Sequence, residues 1–403
     1  MFKKTFFQVH WFLGITAGLI LSLMGVTGAI YSYEQQIIKW MNPDSYTVQA
    51  TQNNKLTPAE LYLHFQKQDP AIKINSITIA QEPTTSSTVN IEKEGARRGY
   101  NMMVNPYTAE VLPEVKGREF FNFIQQLHRN LTVGPVGKQI TGACTLMLIF
   151  FVLSGLYLRW PKRHSIKQWF FIKPKLKGRN FIWDLHAVVG TWVVIFYLIL
   201  ACTGLYWSYD WWRDGMFKVL GVERPQAQMQ EGPRPNAGAA QGPRGEQAGA
   251  RGGESREQGR GGPQGEHTAR GERGQGEQHG ERKGLSPEQV QIALTQTWTG
   301  FNAQVGRDYS TLTLNIPKKP DGTLELSFVD AIPQHERARN SAVFNYQTSQ
   351  IEKMELYEQK KLNEKIMSSM LPVHRGSFFG PIYQFFAMFA SLSWPSPPAY
   401  LAE

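Results

Sequence analysis

The sequence predicts a membrane protein with a four-helix core made of two repeats, carrying two small α+β modules on one side. Three observations predict this class. First, the stretches Trp11 to Tyr33, Gln139 to Leu158 and Leu185 to Tyr209 contain no Asp, Glu, Lys or Arg. Each reaches the roughly 20 residues that a membrane-crossing helix needs. Second, two soluble segments, about 45–127 and 286–373, contain short stretches with strand-like alternation. Third, the same landmarks recur in the same order in both halves of the chain, which marks an internal repeat.

Residues 1–10 form a short basic amino terminus, and the first helix is expected over 11–33. Lys3 and Lys4 precede an apolar run longer than the ~7–15 residues of a signal peptide, and no convincing small-residue cleavage site follows, so the helix is read as retained. The second and third helices are expected over 136–158 and 185–209. Between them, residues 159–184 include RWPKRHSIKQWFFIKPKLKGRN, with eight Lys or Arg and no acid. Short, strongly basic loops stay on the cytoplasmic side, so the amino terminus is cytoplasmic and both soluble segments face the opposite side. The net charge of +10 largely reflects this topology and does not argue for nucleic-acid binding. Trp11, Trp40, Trp160, Trp183, Trp207, Trp211 and Trp212 cluster near the expected interfaces, as aromatic belts do. Cys144 and Cys202 both fall in apolar helices and read as small packing residues.

The two soluble segments share a plan. LTPAEL and LSPEQV each begin a helix with a capping box, Thr57 with Glu60 and Ser286 with Gln289. Strand-like stretches follow: INSITIAQ, STVNIEKE and GYNMMVNP in the first, STLTLNIP, TLELSFVD and SAVFNYQT in the second, each set ending on an Asn-containing turn. Residues 224–284 contain no aromatic residue and no Leu, Ile or Val, so nothing offsets the entropy of ordering them, and they read as a flexible tether. The fourth helix is expected over 376–394. Its apolar run stops near Trp394 and gives way to PSPPAYLAE, with Tyr400-Leu401 where the repeat calls for a small hydroxyl residue and Gly. A truncated or frame-shifted end and a tilted or half-crossing helix both fit this pattern.

The repeat also aligns four histidines. His10 is followed by Gly14 and by Thr27-Gly28, and His186 by Gly190 and Thr203-Gly204 at identical spacing. His128-Arg129 is followed by Gly134-Pro135, and His374-Arg375 by Gly380-Pro381, again in register. His10 and His186 then lie at one membrane face, and His128 and His374 at the other. Two levels of two imidazoles are what a pair of bis-histidine haems requires, one axial nitrogen from each side of a porphyrin. On this reading His10, His186, His128 and His374 are axial ligands to haem iron. Gly14 and Gly190, one turn beyond their histidines, let a flat macrocycle approach. Arg129 and Arg375 are candidates to pair with haem propionates. The bland alternative is that duplication alone preserved these residues as packing positions. His64, His164 and His335 have no counterpart in the repeat and are expected to be ordinary surface residues.

FFQVHWFLGITAGLILSLMGVTGAIYSYE, the WDLHAVVGTW…TGLYW helix, the paired HR-x4-GP helices and the two modules, the first ending near VNPYTAEVL, together resemble the PepSY-associated transmembrane family over the whole chain except the tether. The resemblance implies a multi-pass protein of the bacterial inner membrane with periplasmic PepSY-like modules. It also implies similarity to iron-regulated, haem-containing ferric-siderophore reductases. The expected activity is haem-dependent electron transfer through two b-type haems to a ferric siderophore or other ferric chelate. The cytoplasmic loop is too short for a flavin domain, so the donor is a separate cytoplasmic flavin reductase or a quinol. A non-enzymatic sensor or peptidase regulator is the alternative from another class. A metal-ion permease is disfavoured because the helices hold no acidic or basic residue that an ion pathway would use.

Overall fold

The computed structural model describes residues 2–160, 165–223 and 285–393. The tether over 224–284, His164 and everything from Trp394 onward lie outside the described residues. The helices are α1 (Phe2–Ser32), α2 (Glu34–Met41), α3 (Pro43–Tyr46), α4 (Pro58–Gln68), α5 (Arg118–Asn130), α6 (Gly134–Arg159) and α7 (Ile166–Phe170). They continue as α8 (Gly178–Ser208), α9 (Asp210–Leu220), α10 (Pro287–Val305), α11 (Leu362–Ser368), α12 (Met370–Arg375) and α13 (Gly380–Leu392). The strands are β1 (Ile74–Ala80), β2 (Ser87–Lys93), β3 (Ala96–Val104), β4 (Tyr309–Asn315), β5 (Thr323–Asp330), β6 (Arg339–Asn345) and β7 (Gln350–Glu355).

Among the described residues three helices, α1, α6 and α8, are long and apolar enough to cross a membrane. Helix α1 packs against α6 and α13, and α8 packs against the same two, so the four close into a ring. The expected boundaries shift. Helix α1 starts at Phe2, which puts His10 two turns inside it rather than at its mouth. Helix α8 starts at Gly178 and absorbs the end of the basic loop. The fourth member falls short of the expected 376–394: Gly376 and Gly380 adopt φ of 82° and 85°, which breaks the chain before α13 begins. The 13 residues of α13 extend about 20 Å at 1.5 Å each, well under a bilayer core of about 30 Å.

Both capping boxes form as expected, with Thr57 accepting the Glu60 N–H and Ser286 the Gln289 N–H, each at 3.3 Å. The strands are where the alternation placed them, with one addition, β7, whose sequence QIEKME shows little apolar patterning because it is an exposed edge.

The two expected α+β segments join edge to edge. All seven strands form one antiparallel sheet in the order β3-β2-β1-β4-β5-β6-β7. The seam is β1 against β4, with Thr78 opposite Thr313 and their hydroxyl oxygens 2.8 Å apart. Each segment alone would leave a strand edge with unpaired backbone groups. Joining them satisfies both edges and lets α4 and α10 lie side by side on one face. Leu61, Phe65, Leu294 and Phe301 from those helices share a single core with Ile77, Leu312, Leu314 and Phe328. Phe328 is 1 % exposed and meets Phe301 edge to face with centroids 5.3 Å apart. Phe328→Ala should therefore cost about 3–5 kcal/mol. Amide exchange should accelerate in β1 as well as β5, because the core is shared; unchanged β1 protection would show that the two segments fold independently.

Candidate functional site

The bundle brings the four repeat histidines together in two pairs, at opposite ends of the helices. His10 and His186 face each other with ring centroids 6.5 Å apart and planes at 89°. His128 and His374 face each other at 6.1 Å and 58°. The pairing is by level: α1 pairs with α8 at the end away from the sheet, and α5 with α12 at the sheet end. His128 sits against Gly28, which lies about 27 Å along α1 from His10 at 1.5 Å per residue.

Local chemistry orients the rings. Nδ1 of His128 lies 2.9 Å from the Met24 carbonyl and 3.2 Å from Thr27 Oγ1. A carbonyl only accepts, so Nδ1 carries the proton and Nε2 keeps its lone pair. Nδ1 of His374 lies 2.9 Å from Thr203 Oγ1, whose own proton goes to the Ile199 carbonyl at 2.6 Å. The hydroxyl must therefore accept from Nδ1–H. His10 repeats the device from α6: its Nδ1 lies 2.8 Å from Ser154 Oγ, which donates to the Phe150 carbonyl at 2.6 Å. Three of the four imidazoles thus present a basic Nε2. The fourth differs, since Nδ1 of His186 is buried with no hydrogen-bond partner among the described residues. Fixing the distal N–H of an imidazole in this way sets its tautomer and raises its basicity as a metal ligand.

Thr27, Ser154 and Thr203 were not recognised from the sequence as site residues. The signal was present, because each hydroxyl precedes a glycine in the repeat. Gly28 and Gly204 turn out to admit the imidazoles: a Cβ would stand 3.0 Å from Cε1 of His128 at Gly28 and 3.2 Å from Cε1 of His374 at Gly204. Gly14 and Gly190 behave otherwise, with nothing within 4 Å of where a Cβ would project, so open space lies beside both.

Around the sheet-end pair is a cavity of about 1070 Å³. Its depth is apolar, with Leu21, Met24, Leu148 and Ala201. Arg129, Lys138, Arg337 and Arg375 also line it. Trp207 packs against His374 with centroids 5.4 Å apart. The two arginines singled out in the repeat are not equivalent. Arg129 is exposed where it lines the cavity. Arg375 is 9 % exposed, bonds Glu34 at 3.0 Å and lies over the Tyr31 ring at 4.8 Å. Its charge is already matched within the protein, which weakens the expectation that it pairs with an external carboxylate.

The remaining histidines separate. His64 is half-buried and bonds Gln68 at 2.9 Å. His335 is not a surface residue: it is 4 % exposed, because the β5–β6 connection folds it under α11 and α12.

No curated protein matches the chain. The family model described as the PepSY-associated TM region matches residues 7–396, taking in both histidine pairs, the ring of helices and the sheet, and the protein belongs to that family.

Proposed function

We propose that the protein carries electrons across the bacterial inner membrane through two b-type haems and reduces a ferric chelate on the periplasmic side, where the sheet lies. The observation that carries this reading is the pair of facing imidazoles at each end of the helix ring. Two metal–nitrogen bonds of roughly 2 Å, with the half-widths of two imidazoles, put ring centroids about 6 Å apart. The separations of 6.5 and 6.1 Å fit that requirement. The orphaned Nδ1 of His186 and the open space beside Gly14 and Gly190 also fit a site shaped for a flat ligand.

His10 and His186 would hold one haem, His128 and His374 the other, and each haem when bound supplies a one-electron ferric/ferrous couple. The chain's own part is positional. Ser154, Thr27 and Thr203 hold the Nδ1 protons so that Nε2 faces inward. Leu21, Met24 and Leu148 keep water from the depth of the sheet-end site. One electron from a cytoplasmic flavin reductase or a quinol reduces one Fe(III) to Fe(II), which loosens its hold on hard oxygen ligands and releases the iron. No nucleophile or acid–base pair is needed.

The test is an absorption spectrum of the detergent-purified protein, oxidised and then dithionite-reduced, with a haem count. Sharp reduced α and β bands and about two haems per chain are expected for two bis-histidine sites. A colourless protein after expression with ample haem would reject the reading and favour a non-enzymatic sensor or peptidase regulator.

A further inference from the structure

The connection between β5 and β6, residues 331–338, leaves the sheet and reaches the helix bundle. His335 pins it there. Its Nδ1 accepts the Arg337 backbone N–H at 3.1 Å, so Nε2 carries the proton and donates it to the Tyr357 hydroxyl at 2.8 Å. Ser369 Oγ lies 3.3 Å from the same nitrogen, and the ring packs on Phe378 with centroids 5.3 Å apart. The next residue, Glu336, accepts the Ser377 hydroxyl proton at 2.7 Å. Tyr357, Ser369, Ser377 and Phe378 all flank α11 and α12, the segment that ends in His374-Arg375. The strap therefore has a fixed seat beside the sheet-end histidine pair.

What it delivers is Arg337, which lines the cavity. Four cations, Arg129, Lys138, Arg337 and Arg375, line this space, and no Asp or Glu among the described residues does. The nearby acid Glu34 is already bonded to Arg375. Partial desolvation lowers the pKa of Arg337, whose side chain stays exposed, and the like charges of Arg339 and Arg375 lower it further, against partial relief from Glu336 and Tyr31. Arg129 and Arg337 are exposed where they line this half-open cavity and Lys138 is half-buried, so their like charges are open to an anion that enters it. An arginine fork matches a planar carboxylate with two parallel hydrogen bonds.

We propose that Arg337 is the sheet's contribution to a carboxylate-binding site in this cavity, which it completes with Arg129 and Lys138, the β5–β6 strap holding it in place. The carboxylate belongs either to the edge of a resident macrocycle, in which case the inference rests on the haem reading above, or to a soluble hydroxycarboxylate ferric chelate, in which case it does not.

The experiment compares Arg337→Gln and Arg337→Lys with the full-length wild type. It reads haem per chain, the midpoint potential of the sheet-end haem, and the affinity for ferric citrate against a neutral hydroxamate chelate. If the carboxylate is the macrocycle's, R337Q lowers the potential, because an unpaired carboxylate favours the ferric state, and citrate affinity is unchanged. If it is the chelate's, R337Q weakens ferric citrate roughly tenfold or more, with the hydroxamate and the potential unaffected. In both cases R337K recovers part of the effect, which separates lost charge from a folding defect. A glutamine variant equal to wild type in potential and in citrate affinity overturns the proposal. A wild type without haem rejects the electron-transfer reading alone, since equilibrium dialysis with ferric citrate still tests the site.

Discussion

His374→Ala is expected to cut the haem content from about two to about one per chain and to reduce ferric-chelate turnover by roughly 100-fold or more, since even the residues that support a metal ligand matter 10–100-fold. The lost haem is the sheet-end one, because His374 faces His128 at 6.1 Å at that end of the ring. His186→Ala should remove the other haem and spare this one, by the same logic applied to the His10–His186 pair. The readouts are a haem count and the number of redox transitions in a potentiometric titration. Variants that keep both haems would end the axial assignment. If either single variant lost both, the sites would not be the independent levels that the two pairs describe. Added imidazole should restore part of the missing absorbance in His374→Ala, because the cavity around that position is large enough to admit it.

Gly25→Ala should be strongly damaging to the packing between α1 and α13. A Cβ there would run into the carbonyl oxygen of Ser391 in α13. That atom belongs to backbone, so a rotamer change cannot relieve the contact and the two helices must separate. Overpacking of this kind costs about 1–3 kcal/mol, and it falls on the shortest helix of the ring. Ala387, Met388 and Ser391 of α13 line the sheet-end cavity, so haem retention at that end should fall along with the apparent unfolding midpoint. Gly14→Ala is the matched control, since nothing lies within 4 Å of its Cβ position, and its effect on helix packing should stay within about 0.5 kcal/mol. Equal destabilisation by the two substitutions would show that the α1–α13 contact does not hold the ring together.

These two glycines illustrate how much of the site was legible beforehand. The register of the repeat identified the four histidines and their pairing, because helical periodicity and membrane topology together fix depth. The same register holds Gly14 and Gly190, beside which the space is open, and Gly28 and Gly204, which meet the imidazoles closely, whereas the close approach at Gly25 lies outside it. A sequence shows which residues share a helical face. It does not show what stands opposite that face, and a close approach is a property of both partners.

The membrane segments, the two capping boxes and six of the seven strands follow from local patterns, where side-chain chemistry and backbone geometry are coupled, and the two levels of histidines follow from the register of the repeat. The features that had to await the folded chain depend on segments far apart in sequence. Thr78 and Thr313 meet at the β1–β4 seam because two unpaired edges find each other, and this turns two modules into one sheet. Glu34 neutralises Arg375, Ser154 orients His10, and the β5–β6 strap buries His335 and delivers Arg337, each through contacts across more than 20 positions. Hydrogen bonds and charge pairs act over a few ångströms in space, so their partners are set by which surfaces pack together, and for α13 and the strap that packing is written nowhere in the local pattern.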